Sequence, residues 1–212
     1  MKKIKLVTVD LDGTLADTAP AVLSAINLAR ADFGYGPTDL SRLMKDFSRG
    51  ARELVKCAFP DGFPDAEVDR ALVTYYNHYL ETCKETRELY PGMRGALGHL
   101  YTEGIRLAAL TNKKLVPATT IMETLFPVSP FFRLIADGSG YPKKPDPTSM
   151  LALMEEAGAT PEETVHIGDS EIDMKTAKAA GVASEFAFAL IERLKSREDS
   201  QKVQNAVYFE KE

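Results

Sequence analysis

The chain opens on a short apolar run, Ile4-Lys5-Leu6-Val7-Thr8-Val9, rich in β-branched residues and ending at the polar Asp10-Leu11-Asp12-Gly13-Thr14. That pattern predicts a buried strand running into a turn. From Pro20 to Arg87 the apolar positions instead recur at three- and four-residue steps, and no strand is evident. Val22, Leu23, Ile26, Leu28 and Ala29 predict a first helix, stopped by Gly34-Tyr35-Gly36-Pro37. Further helices are expected over 39–47 and 50–59, and then after Pro64, with Asp65 as the N-cap. Val68, Leu72, Tyr75, Tyr76, Tyr79, Leu80 and Cys83 mark the apolar face of that last helix.

After Tyr90-Pro91-Gly92 strands and helices alternate. Helices are predicted over 93–102, 114–125, 148–157 and 170–180, and strands over 105–110, 132–135 and 165–167. Alternation of this kind implies right-handed βαβ units and a parallel sheet sandwiched by helices, an α/β, Rossmann-like core. In such sheets chemistry gathers at the carboxyl ends of the strands. Three predicted strand ends stop in polar clusters: Asp10 with Asp12, Thr111 with Asn112, and Gly168 with Asp169. Residues 182–212 contain no Gly or Pro; a strand over 182–188 and a charged amphipathic helix over 190–205 are the expected readings.

Composition narrows the class. With 44% hydrophobic residues and 26 Lys and Arg against 31 Asp and Glu (net −5), the chain has the balance of a globular protein. No basic stripe suits nucleic acid, and no apolar run approaches the ~20 residues that span a bilayer. The run at Leu6 is broken by Asp10 too soon for a signal peptide, and the two cysteines, Cys57 and Cys83, lack any ligand or disulfide framework. A cytoplasmic protein, monomer or homodimer, is expected. Acidity argues at first sight against a small anionic substrate.

Asp10 and Asp12, two apart at a strand end, can point to one side; Asp169 and Asp173, four apart at a helix start, share one helical face. Each pair alone has an ordinary explanation, as turn residues or as an N-cap with a solvated helix acid. Together their repulsion needs compensation, since two unit charges 4 Å apart interact by ~4 kcal/mol at an effective dielectric of 20. Hard oxygen ligands beside a phosphate point to Mg²⁺, and Lys144, in a loop stiffened by Pro145 and Pro147, would add positive charge. Neighbouring Lys143 is read as simply solvated.

Four elements, in order, resemble the signature of haloacid dehalogenase-like phosphohydrolases: Asp10-Leu11-Asp12-Gly13-Thr14-Leu15, Leu110-Thr111-Asn112, Lys144-Pro145-Asp146-Pro147, and Gly168-Asp169-Ser170-Glu171-Ile172-Asp173. The similarity extends to phosphoglycolate phosphatase-like members with a helical cap, through Asp17-Thr18-Ala19-Pro20, Gly50-Ala51-Arg52-Glu53-Leu54, Tyr90-Pro91-Gly92 and Thr111-Asn112-Lys113. It covers roughly residues 1–182. The resemblance implies a catalytic core of residues 1–15 and 85–212 interrupted by an inserted all-helical cap domain, residues 16–84.

It also implies a mechanism. Asp10 would attack phosphorus and form an aspartyl-phosphate, and Asp12 would act as general acid and then base. Mg²⁺ would sit on the Asp10 carboxylate, the Asp12 backbone carbonyl and Asp169. Thr111, the Asn112 backbone N–H and Lys144 would bind phosphoryl oxygens, with Asp173 orienting Lys144 or metal-bound water. Arg49 and Arg52, around Gly50, stand where capped relatives contact substrate. The expected substrate is a small phosphorylated metabolite, 2-phosphoglycolate first. Asp12 argues against a dehalogenase or phosphonate hydrolase. A β-phosphoglucomutase-like sugar phosphomutase is the main rival, ahead of a non-catalytic phosphate-sensing module or a receiver domain. His78, His99 and His166, outside the motifs, are read as structural.

Overall fold

All of β1 (Leu6–Val9) is buried, as befits an apolar run with no polar face to offer water. The computed structural model describes residues 3–43 and 50–182. In it β1 pairs in parallel with β2 (Arg106–Lys114) on one side and with β4 (Thr164–Ile167) on the other. β3 (Phe131–Asp137) lies outside β2, giving the order β3-β2-β1-β4.

Side chains alternate between two apolar layers, as the two-residue period of a strand requires. Val7, Val9, Leu107 and Ala109 join one layer; Leu6, Ala108, Leu110 and Ile135 join the other. The first is covered by α5 (Met93–Thr102) and α6 (Leu115–Leu125), and its apolar cluster continues into α1 (Ala19–Asp32), α3 (Ala51–Ala58) and α4 (Asp65–Thr82). The second is covered by α7 (Thr148–Ala157) and α8 (Glu171–Ala179). Leu6, Leu11, Leu15 and Ile26 are wholly buried, each contributing ~1.5–3 kcal/mol of hydrophobic stabilisation.

Between β1 and β2 the described elements are all helical: α1, α2 (Leu40–Leu43), α3, α4, a 3-10 turn at Cys83–Glu85 and α5. Proline in the first turn starts α1, where its missing N–H has no helical partner to lose. Of the helix expected over 39–47 the described residues show Leu40–Leu43; the rest of that expectation, and the strand and helix expected after Val182, fall outside the described residues.

Two boundaries differ from expectation. At α4 the cap position belongs to Pro64, in extended conformation, and Asp65 is the first helical residue. The Asp65 carboxylate is instead paired with Lys56 of α3 at 2.9 Å. The second strand does not end at Leu110 but continues through Thr111, Asn112 and Lys113 to Lys114, with an irregular register against β3. Polar residues mask this extension in the sequence. The extension carries much of the site.

Candidate active site

The chain runs from β1 outward to β2 and β3, then returns to the far side of β1 as β4. A parallel sheet opens a crevice where its order reverses in this way, at the carboxyl ends of the flanking strands. Asp10 follows β1 and its N–H donates to Ile167 O at 2.9 Å, at the end of β4; Asp169 lies just beyond. The two acids are thus brought together by strand register.

Lys144 Nζ is 2.9 Å from Asp10 Oδ1 and 2.5 Å from Asp173 Oδ1, with all three side chains nearly or wholly buried. Asn112 holds the lysine in place: its side-chain oxygen accepts from Lys144 N at 2.8 Å and its amide donates to Lys144 O at 2.9 Å. Burial pushes the Asp10 carboxyl up to about 7, against the pull of Lys144 and with a further push from Asp173 and Asp12. Burial opposes the charge on Lys144 as well, but the two carboxylates outweigh it and raise its pKa.

Asp173 is wholly buried, so the reading of it as a solvated helix acid is excluded. Ser170 is the N-cap of α8, and Asp173 returns a hydrogen bond to it from the third helical position, a reciprocal capping box. Its Oδ2 accepts from Ser170 N at 3.1 Å and from Ser170 Oγ, while Oδ1 faces Lys144 and His166 Nε2, the latter at 3.1 Å. Burial alone would raise this carboxyl, yet Lys144 and His166 overcome it and hold Asp173 well below the ordinary range.

His166 is therefore more than a filler of the core. Burial lowers its pKa despite Asp173, so the ring is neutral. Facing an ionised acceptor, Nε2 must carry the proton, and Nδ1 then accepts from the Thr8 hydroxyl at 2.8 Å. Its sequence signal was faint: a lone polar residue inside the apolar Val165-His166-Ile167 strand.

On the other side of the crevice, Asp12 Oδ1 accepts from Thr18 Oγ1 at 2.5 Å and faces Lys113 Nζ at 3.0 Å. Lys113 is almost buried and also donates to Tyr79 OH of α4 at 2.8 Å. Burial disfavours its charge, but Asp12, helped by Tyr75 and Asp10, more than compensates and its pKa is raised. Successive residues of the β2 extension thus serve opposite sides: Asn112 reaches Lys144, and Lys113 reaches the helical segment. Thr111 is buried, and its Oγ1 accepts from Lys113 N at 3.2 Å, leaving its own proton to donate.

A cation fits this donor set. Single oxygens of Asp10, Asp169 and Asp173 lie within 4.8 Å of one another, and the Asp10 carboxylate is buried with the Lys144 ammonium group 2.9 Å from its Oδ1. Asp173 is already filled by donors, so Asp10 and Asp169 are the carboxylates suited to a metal. Four carboxylates (Asp10, Asp12, Asp169, Asp173) against two ammonium groups (Lys113, Lys144) leave a formal −2, which one dication cancels. Asp169 itself accepts from Thr14 Oγ1 at 3.1 Å. The loop closes so tightly that a Cβ on Gly13, at φ +75°, would fall 2.5 Å from Asp169 Oδ2. Only glycine fits there, on both counts.

The model of the haloacid dehalogenase-like hydrolases matches residues 4–181. The chain belongs to this family. Among its relatives is the phosphoglycolate phosphatase of Pseudomonas putida, 36% identical over 184 residues that cover 84% of this chain and 67% of that one. Phosphoglycolate phosphatase 1 of Pseudomonas aeruginosa is 35% identical over the same shares. A solved structure described as a predicted phosphoglycolate phosphatase from Haemophilus somnus superposes with a TM-score of 0.74 at 26% identity, covering 86% of this chain and 84% of that one. The haloacid dehalogenase-like chain is accordingly a phosphoric monoester hydrolase.

Of the residues singled out in the sequence, Asp10, Lys144, Asp169, Asp173, Thr111, Asn112 and Asp12 line this one crevice and its walls. Arg52 takes a different position: half-exposed, it pairs with Asp69 of α4 at 3.1 Å. Arg49 lies outside the described residues. Lys143 is paired as well, with Asp137 at 2.9 Å. Among the described residues no helix is long and apolar enough to cross a membrane.

Proposed function

We propose that this enzyme is a Mg²⁺-dependent phosphatase that hydrolyses a small phosphomonoester, 2-phosphoglycolate by preference, through an aspartyl-phosphate on Asp10. The observation that carries this reading is the buried Asp10 carboxylate at the switch point, 2.9 Å from Lys144 and grouped with Asp169. Mg²⁺ would be held by the Asp10 carboxylate, the Asp12 carbonyl and Asp169, and when bound it neutralises charge on the phosphoryl oxygens and keeps Asp10 ionised.

The side chains of the protein do the rest. An Asp10 oxygen forms a bond to phosphorus as the ester P–O bond breaks, and Asp12 delivers its proton to the departing alkoxide. Asp12 then removes a proton from the water that attacks phosphorus, and the Asp10 carboxylate leaves. Lys144, the Thr111 hydroxyl and the Asn112 N–H stabilise charge spread over the remaining oxygens. Asp173, fixed by His166 and the α8 cap, positions Lys144. The helical segment, residues 16–84, would act as a cap that excludes water and reads the rest of the substrate; Arg49 is its proposed carboxylate contact, and Arg52 would join it by exchanging Asp69 for the substrate carboxylate.

Phosphate release from 2-phosphoglycolate, β-glucose 1-phosphate, nucleotides and pyrophosphate, each with Mg²⁺, tests this. Release should be fastest from 2-phosphoglycolate and stop with a chelator. Conversion of β-glucose 1-phosphate to the 6-phosphate would instead establish a mutase.

A further inference from the structure

Asp12 is held by two donors from different parts of the chain, and one of them is itself held by the helical segment. Thr18 and Lys113 both reach Oδ1 of Asp12. With its lone pairs at Oδ1 engaged, the carboxyl plane is fixed and a transferable proton can sit only on Oδ2. Lys113 Nζ in turn donates to the hydroxyl of Tyr79, a ring that is 1% exposed and stacked on Tyr75 at 5.5 Å and 14°. Burial raises the Tyr79 hydroxyl well above its ordinary pKa, so it remains a neutral acceptor for the ammonium group. A flexible four-carbon lysine stem would otherwise swing; a buried phenol anchored in an eighteen-residue helix removes that freedom.

We propose that Tyr79, acting through Lys113, is a positioning residue for Asp12 as general acid, which makes the helical segment a part of the proton-transfer apparatus and not only a cover. The inference rests on the phosphatase reading given above. In that reading the second-order constant kcat/KM reports steps up to the first irreversible one, formation of the aspartyl-phosphate, in which Asp12 protonates the leaving oxygen. A misaligned acid harms esters of weakly acidic alcohols most, because their alkoxides need the proton; esters of acidic phenols leave nearly unaided.

The test is Tyr79→Phe, which keeps the ring and its stacking, assayed on a series of aryl phosphates of graded leaving-group acidity together with an alkyl phosphate. Relative to the parent enzyme, kcat/KM should fall about tenfold for the alkyl ester, a fraction of the whole contribution of general-acid catalysis. The loss should shrink progressively as the phenol becomes more acidic, so the plot of log kcat/KM against leaving-group pKa steepens. Lys113→Met should steepen it further, with the melting temperature of each variant confirming that it is folded. Equal losses across the series would overturn the inference and assign Tyr79 to packing or substrate contact. If the parent enzyme released no phosphate from any ester, the phosphatase reading itself would fail, a different outcome.

Discussion

Asp10→Asn should abolish turnover, by roughly 10⁴-fold or more, while leaving the protein folded. An amide has nearly the shape of the carboxylate but cannot form the acyl-phosphate. Retained activity would refute Asp10 as the nucleophile. Stability should move the other way. The carboxyl is raised from 3.8 to about 7 by burial, so its ionisation is disfavoured in the folded state. A group raised in this sense contributes stability that is complete below pH 3.8 and lost as pH rises through about 7. In metal-free buffer the melting temperature of Asp10→Asn should therefore gain on that of the parent as pH rises across this window. A variant that instead fell progressively behind would show that the Asp10 charge stabilises the fold.

Lys144→Met should damage both function and fold. The ammonium group is the shared partner of two buried carboxylates, 2.9 Å and 2.5 Å away. Removing one partner of a buried ion pair leaves an uncompensated charge and typically costs about 3–5 kcal/mol. Loss of a positive donor to the phosphoryl oxygens should lower kcat by roughly a hundredfold or more. The two effects are separable. Adding Asp173→Asn to Lys144→Met removes one stranded charge and should restore part of the lost melting temperature, with no recovery of kcat. Thermal unfolding and steady-state kinetics on the single and double variants check both halves; recovery of activity in the double variant would place Lys144 outside the chemistry.

Much of this site was legible in the sequence because strand ends in a parallel sheet are marked twice: an apolar run, then an abrupt polar cluster. Asp10, Asp169 and the β2 terminus all carry that mark, and the sheet order then brings them to one crevice. Lys144 was legible only through its rigid proline-flanked surroundings, and Asn112 as its clamp was not. Two features were hidden for a physical reason. His166 occupies an inward position in a short strand, where a lone histidine looks like core. Lys113 and Tyr79 are separated by 34 positions, and their contact depends on β2 running past Leu110 with a register irregularity. Neither hydrophobic period nor motif spacing encodes that. The negative net charge misled in the same way, since four of its carboxylates gather in the one place where two lysines and the proposed dication would bring the formal charge to zero.

The proposed reaction is a double displacement at phosphorus with Asp10 as the covalent carrier. It is tested most directly by the stereochemistry of hydrolysis of a thiophosphate ester made chiral at phosphorus with oxygen isotopes. Two successive in-line displacements, first by Asp10 and then by water, predict net retention of configuration. Net inversion would mean a single direct attack by water, and would rule out Asp10 as the covalent carrier.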